Sequence, residues 1–299
     1  MFYFNSYTLK LVANINLIDK SFTDAKIVGY KLYVQISKAD IKLLVLDVAT
    51  STFIALKVYV LNDIYTDHAL TEKIQLFIKE DTWINANFSS THIIFVNNRA
   101  TIMPNALFNK DELAIYHQYN FTPNETDNYY FDKFLNLPAN NIYAVPDFII
   151  SCFDNVKNKH FFHFSTPLIA SALLHAKNTN ALSLIDVHVL PNSFQIIIIK
   201  NQQLTLYNSF DYQTSEDFIY YLLFVLEQQK IDNKKVHIRL LGEVEKNSTI
   251  YTLLNTYINE VSFLEKNDLL ANSSLKLSYI FDEISPIYYY SIFQQYLCE

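Results

Sequence analysis

From Lys31 the chain reads KLYVQISKADIKLLVLDVATSTFIALKVYVL, three runs rich in Val, Ile, Leu and Tyr broken at Ser37–Asp40 and at Ala49–Thr52. Short apolar runs punctuated by turn residues predict three antiparallel strands joined by tight turns. A helix is expected over 66–78, capped by Thr66 or Asp67, because Ala69, Leu70, Ile74, Phe77 and Ile78 recur at helical spacing. A strand at 92–96 follows. The same order returns in SLIDVHVLPNSFQIIIIKNQQLTLYNSF from Ser183, with turns at Pro191–Ser193 and Asn201–Gln203. Thr214-Ser215-Glu216-Asp217 then opens a helix to about Gln229, its acids placed to accept from first-turn amides. A strand at 236–241 closes this second set. The order strand, strand, strand, helix, strand therefore occurs twice, and is read as a duplication.

Between the copies the pattern predicts a helix over 110–119, a polar loop at 120–128, a strand at 142–145 and a helix from Pro146-Asp147. It then predicts a strand at 160–164 and a helix opened by Ser165-Thr166-Pro167, with proline in its first turn. After the second copy come a helix over 248–257, a strand at 261–264, a loop at Asn272-Ser273-Ser274 and a final helix from Ser285-Pro286 to Leu297. The fold class is α/β: two tandem domains, each a mixed five-stranded sheet with helices. Residues 1–180 form the first lobe and 181–299 the second, the last helix packing back on the first.

Composition narrows the function. At 299 residues with 51% apolar and 18% charged residues, the chain can bury a substantial core. A net charge of −7 with no long basic run argues against nucleic acid and against anionic membrane surfaces. The longest apolar run, Phe218–Leu226, is about half the ~20 residues of a spanning helix, so no membrane insertion is expected. MFYFNSYTLK does not have the layout of an export signal, and Cys152 and Cys298 cannot form a disulfide framework, so a reduced cytoplasm fits.

Glycine is scarce: Gly29 and Gly242 alone, where average usage of ~7% predicts about twenty. Turns needing positive φ must then use Asn or Asp, as expected at Asn97-Asn98, Asn140-Asn141 and Pro191-Asn192. Loops that bring backbone close to phosphate are nearly excluded, and no Walker or Rossmann loop occurs. No nucleophile elbow is present, neither cysteine has a reactive context, and no catalytic residue is assigned. His160 and His163, three apart on a strand, point to opposite faces and make no metal site; His92, His188 and His237 read as core or edge residues. Glu216-Asp217 and Asp282-Glu283 read as caps or solvated loops. Tyr289, Phe293 and Tyr296 read as one buried helical face, or alternatively with Tyr288 and Tyr290 as an aromatic contact surface.

A duplicated meander–helix–strand unit resembles the actin-like ATPase superfamily, the ribonuclease-H-like fold of sugar kinases, heat-shock chaperones and actin. Within it the chain is similar to pilus-assembly, cell-division and secretion-system members. FIALKVYVL at 53–61, LTLYNSFDYQTSEDFIYYLLFVLEQ at 204–228, LLGEVEKNSTIY at 240–251 and the terminal YYYSIFQQYLCE resemble a bacterial family of unknown function with this fold. The superfamily's hairpins carry an Asp-Ile-Gly pattern whose amides face phosphates. Here Gln35 stands at the aspartate position and Ser37 at the glycine position, while the second hairpin keeps Asp186 and has His188 for glycine. The base-side Gly-Gly is Gly242-Glu243.

The resemblance therefore implies a vestigial nucleotide cleft made of Gln35, Ser37, Asp186, His188, Gly242 and Glu243, with no cofactor and no metal. The implied function is a protein-binding scaffold or adaptor, not an enzyme, whose partner is a protein that the sequence does not identify. The alternatives are a divergent ATPase holding ATP and magnesium through Asp186, and a small-molecule binder or sensor using the interlobe cleft.

Overall fold

The computed structural model describes residues 11–271 and 273–298, so the expectations for MFYFNSYTLK, Asn272 and Glu299 fall outside the described residues. The first region runs β1 (Ile15–Ile18), β2 (Tyr30–Ile36), β3 (Asp40–Asp47), β4 (Thr52–Val60), α1 (Asp67–Glu80) and β5 (Ser90–Phe95). An insertion follows: β6 (Ala100–Pro104), α2 (Leu113–Gln118), β7 (Asp127–Lys133) and β8 (Ala139–Pro146). Then come α3 (Asp147–Ser151), β9 (Lys159–His163) and α4 (Ser165–Asn178), which leads into β10 (Ser183–Val189). The second region continues with β11 (Ser193–Lys200), β12 (Gln203–Asp211), α5 (Ser215–Gln228), β13 (His237–Gly242), α6 (Thr249–Tyr257) and β14 (Glu260–Phe263). A two-residue strand β15 (Lys276–Leu277) and the four-residue helix α7 (Tyr290–Phe293) end it.

Both main sheets use one plan. In the first, β4-β3-β2 is an antiparallel meander, and β5 and then β9 add in parallel beside β2. In the second, β12-β11-β10 is the meander, followed in parallel by β13 and β14. The first sheet has seven strands rather than the expected five, because β1 and β15 both pair with β4. The short strands β6, β8 and β7 form a third sheet between β5 and β9, where the pattern indicated only a helix, a loop and one strand.

The elements form for local reasons. Thr66 Oγ1 accepts from the Ala69 amide to start α1, and α5 opens with a reciprocal capping box between Thr214 and Asp217. The β11–β12 hairpin turns on Asn201 and Gln202, with φ of 51° and 61°, the paired left-handed conformation that a two-residue hairpin loop needs. Other expected Asn turns differ. Asn140 and Asn141 lie inside β8, and positive φ falls instead at Ser51, Asp63, Asn158, Asn180 and Lys230. Asn98 does not make a left-handed turn either. It reaches across to the second sheet, bonding Asp211 and Ser209 of β12.

The final helix is also corrected. The stretch after Ser285 is a 3-10 turn (Pro286–Tyr289), α7 and another 3-10 turn (Gln294–Cys298), not one continuous helix. Its shape follows its environment. Tyr290, Ser291, Ile292, Phe293, Gln294 and Gln295 are all buried, so contacts on every side override helical propensity. Three cores result. One lies on the α1–α3 side of the first sheet and one under α5 and α6. The third joins the two sheets through α4 and the C-terminal segment. α4, buried from Ser165 through Leu173, is the chain's passage from one sheet to the other.

Candidate functional site

The candidate site is the space between the two meander hairpins. At the tip of β2–β3, the Ser37 amide donates to Asp40 O at 2.9 Å. Ser37 Oγ accepts from the amides of Ala39 at 3.1 Å and Asp40 at 2.9 Å, and donates to Asp40 Oδ1 at 2.9 Å. The turn's own hydroxyl thus holds two of the turn's amides. A glycine at position 37 would leave them unpartnered.

Behind that turn, Gln35 is 1% exposed. Its Oε1 accepts from Ser291 Oγ at 3.0 Å, and its Nε2 has no hydrogen-bond partner. Lys42, opposite Gln35 in the ladder, is buried and bridges Asp40 Oδ2 at 2.6 Å and Glu243 Oε1 at 3.1 Å. Burial works against the Lys42 ammonium, but the two carboxylates outweigh it and hold its pKa above the usual lysine value. Burial raises the Glu243 carboxyl, and Lys42 opposes that shift. One ammonium thus sits between two carboxyl groups in the space between the hairpins.

On the second hairpin, Asp186 is fully buried in the middle of β10, not at a strand end where it could cap a turn. Arg239, its neighbour on β13, grips it through Nε at 2.8 Å and Nη2 at 2.6 Å. Both of its carboxylate oxygens are engaged by that guanidinium. His188 Nδ1 bonds Gln195 Oε1 at 2.8 Å, its Nε2 has no partner, and burial pushes its pKa down to about 4.

Gly242 ends β13 with φ of +82°, and a Cβ there would stand 2.4 Å from Val189 O and 3.1 Å from the His188 ring. The glycine is required for the backbone conformation and for the close approach of β13 to β10. The Glu243 amide then donates to Val189 O at 2.8 Å.

The C-terminal segment fills the floor of this space. Phe293 packs edge-on to Phe53 and Phe281, with ring centroids at 5.1 and 5.3 Å. Tyr290 OH meets Ser171 Oγ of α4 at 2.5 Å, and Gln294 Nε2 donates to Leu269 O at 2.7 Å. Beyond Gly242 a cavity of about 510 Å³ opens at the carboxyl ends of β13 and β14, walled by Tyr251, Phe263 and Tyr288 and rimmed by Glu245, Lys246 and Glu265. Lys246 Nζ stands 5.7 Å from the Phe263 ring centre.

The structure therefore brings Gln35, Ser37, His188, Gly242 and Glu243 to the junction of the two sheets and turns Asp186 away into an ion pair. Arg239, Lys42, Asp40 and Ser291 join the site from positions that no motif in the sequence marks. The legible signal was a lysine and an arginine inside otherwise apolar strands, which must be paired to be buried. His160 and His163 do not come together: His163 is buried against Ser165 and Asn97, while His160 is exposed. Among the described residues, no group of three His, Cys, Asp or Glu side chains could hold a metal ion. No helix among them is long and apolar enough to cross a membrane.

Comparison with known proteins gives the fold. The model of a family described as "Protein of unknown function (DUF3822)" matches residues 19–261. No curated protein matches the chain. A Bacteroides thetaiotaomicron protein with an actin-like ATPase fold and unknown function superposes with a TM-score of 0.72 at 18% identity, over 84% of this chain and 97% of that one. A chain of the PilM–PilN type IV pilus biogenesis complex superposes with a TM-score of 0.55 at 10% identity, over 90% of this chain and 98% of that one. At these identities the likeness establishes an actin-like ATPase fold and nothing further.

Proposed function

The chain belongs to the DUF3822 family, and from that premise we propose that it is a two-lobed, tandemly duplicated actin-like protein that neither binds nor hydrolyses ATP and serves as a scaffold for another protein. The observation that carries this reading is the Ser37 hydroxyl seated on the Ala39 and Asp40 amides. Phosphate loops work by aiming unpartnered amides at a developing or resident negative charge. In this chain a side chain of the loop itself takes that place.

Other features support the same reading. The residues present do not fit a magnesium-bound triphosphate: Asp186 is committed to Arg239, and Lys42 is committed to Asp40 and Glu243. A scaffold needs surface to offer. Tyr220 and Phe224 stand on the outer face of α5 at 63% and 45% exposure. Exposed large apolar side chains of this kind mark interaction faces when they are contiguous. PilM, which shares the fold, is found in complex with PilN.

A second reading is favoured by one feature, the cavity walled by Tyr251, Phe263 and Tyr288, whose size suits a small organic ligand. The experiment that tests the main reading is a thermal-shift titration of the full chain with ATP and magnesium. Any binder gains about 2.7 kcal/mol at a ligand concentration one hundred times its dissociation constant. No shift at millimolar nucleotide is expected, and a saturable shift overturns the reading. Affinity capture followed by reconstitution should then yield a stoichiometric protein partner; a co-purifying metabolite favours the second reading.

A further inference from the structure

One contact of the inserted sheet with the rest of the molecule is a buried carboxylate, independently of how the cleft is used. Asp132 on β7 is 5% exposed and lies directly opposite Asn141 of β8 in the antiparallel ladder. Its Oδ2 accepts from Thr166 Oγ1 at 2.6 Å and from the His163 amide at 2.9 Å. A single side chain of the insertion thereby holds the last residue of β9 and the first turn of α4. Asn141 Nδ2 reaches the same turn, donating to Ser165 Oγ at 2.8 Å and Thr166 Oγ1 at 2.9 Å. Asn141 Oδ1, however, is buried with no hydrogen-bond partner. The cluster is short of one donor, and the residue across the ladder is a carboxyl group.

The titratable groups around Asp132 do not supply a countercharge. Tyr143 of β8 bonds it, and Tyr130 of β7 and Cys298 near the C-terminus act on Tyr143. From β9, the His163 ring is committed to Ser165 Oγ at 2.7 Å and Asn97 O at 3.1 Å. Burial pushes the His163 pKa down to about 3, and His117 adds to that shift, so the ring is neutral. From β12, half-buried Tyr207 bonds Ser165, and desolvation of its hydroxyl keeps its proton on. α4 presents only Ser165 and Thr166 here, its His175 and Lys177 lying in the last turn. The start of α4 favours a negative charge. Complete desolvation opposes it and wins, moving the carboxyl up to about 7.

We propose that Asp132 is a proton-operated latch between the inserted sheet and α4: protonated, it donates to Asn141 Oδ1 and completes the cluster; ionised, it leaves a buried, unbalanced charge that loosens β7 and β8 from the first turn of α4. Because α4 carries the chain from one main sheet to the other, the latch puts a pH-sensitive joint where the insertion meets the connection between them. The sign follows from linkage. The folded state keeps a proton that the unfolded chain releases near 3.8, so this stabilisation is complete below that pH and is lost as pH rises to about 7.

The test is amide hydrogen exchange on the full chain at about pH 6 and about pH 8.5, corrected for intrinsic rates, beside Asp132→Asn, which keeps a donor for Asn141 but cannot release a proton. Protection of β7, β8 and the start of α4 should fall by about tenfold or more in the wild type, since one unit of pKa shift is a tenfold effect, and should hold steady in the variant. Equal protection at both pH values in the wild type, or the same fall in the variant, overturns the latch. Should the variant not fold, infrared titration of the wild type decides. A protonated carboxyl band that persists at neutral pH and disappears with a midpoint near 7 supports the proposal. A set of carboxyls all ionised in the ordinary acidic range overturns it.

Discussion

Lys42 Nζ lies 3.1 Å from Glu243 Oε1, and that contact joins the two main sheets through residues 201 positions apart. It stands at the centre of the region between the hairpins, with Asp40 on the lysine's other side. Lys42→Met leaves two carboxylates facing each other without a cation. Breaking a buried ion pair from one side costs about 3–5 kcal/mol, and this should appear as a lower midpoint in urea unfolding. Glu243→Gln, which leaves the Lys42–Asp40 pair intact, should cost about 1 kcal/mol. Equal losses from the two variants refute a bridging lysine.

Asp186 and Arg239 form a buried two-point ion pair, so Asp186→Leu alone should destabilise the chain by about 3–5 kcal/mol, because the guanidinium is left uncompensated. The double variant Asp186→Leu/Arg239→Met should recover most of that loss, as apolar replacement of a buried pair commonly does. Denaturant titration of the three proteins checks the cycle. A double variant no more stable than Asp186→Leu would mean that Asp186 holds something besides Arg239.

Gly242→Ala places a Cβ 2.4 Å from Val189 O at a φ of +82°. The left-handed conformation alone costs a non-glycine residue roughly 1–2 kcal/mol, and the clash adds to it, so a loss above about 2 kcal/mol is expected. Ser37→Gly tests the opposite substitution, restoring glycine where the superfamily pattern has it. It removes the acceptor of two turn amides and should destabilise by about 1 kcal/mol without creating ATP affinity, measured by thermal shift. Nucleotide binding by Ser37→Gly would show that the hydroxyl was the sole obstacle.

Acid should unfold the protein through its buried imidazoles. His188 and His163 are neutral in the folded chain, with pKa values pushed down to about 4 and about 3 from the usual 6.5. The unfolded chain binds their protons first, so the stability they contribute is present above about pH 6.5 and is lost as pH falls toward 4 and 3. Asp132 acts with the opposite sign between 3.8 and about 7. Urea midpoints followed across that range should therefore fall on acidification, and fall more steeply in Asp132→Asn. Parallel profiles in the two proteins would remove Asp132 from the titration.

Most of the two main sheets was legible in the chain, since their strands are continuous apolar runs ended by turn residues, and their helices carry caps at Thr66 and Thr214. The missed strands have no such signature. β1 alternates between half-buried and exposed positions, β15 is two residues long, and β6 and β7 are half-buried at most positions. They become strands because a neighbour's edge needs partners for its amides and carbonyls. At the candidate site, Gln35, Ser37, Asp186 and His188 could be picked out of the chain. Their partners could not: Ser291 meets Gln35 from 256 residues away, and Arg239 meets Asp186 from 53.

By itself the sequence determined the strands and helices of the two main sheets and which of their stretches are apolar, because these depend on each residue's own conformational range and on its nearest neighbours. Only the tertiary structure decided what each buried polar group does. A charge or amide removed from water must find its partner wherever the fold brings one, and here those partners come from the other main sheet, from the inserted sheet and from the end of the chain.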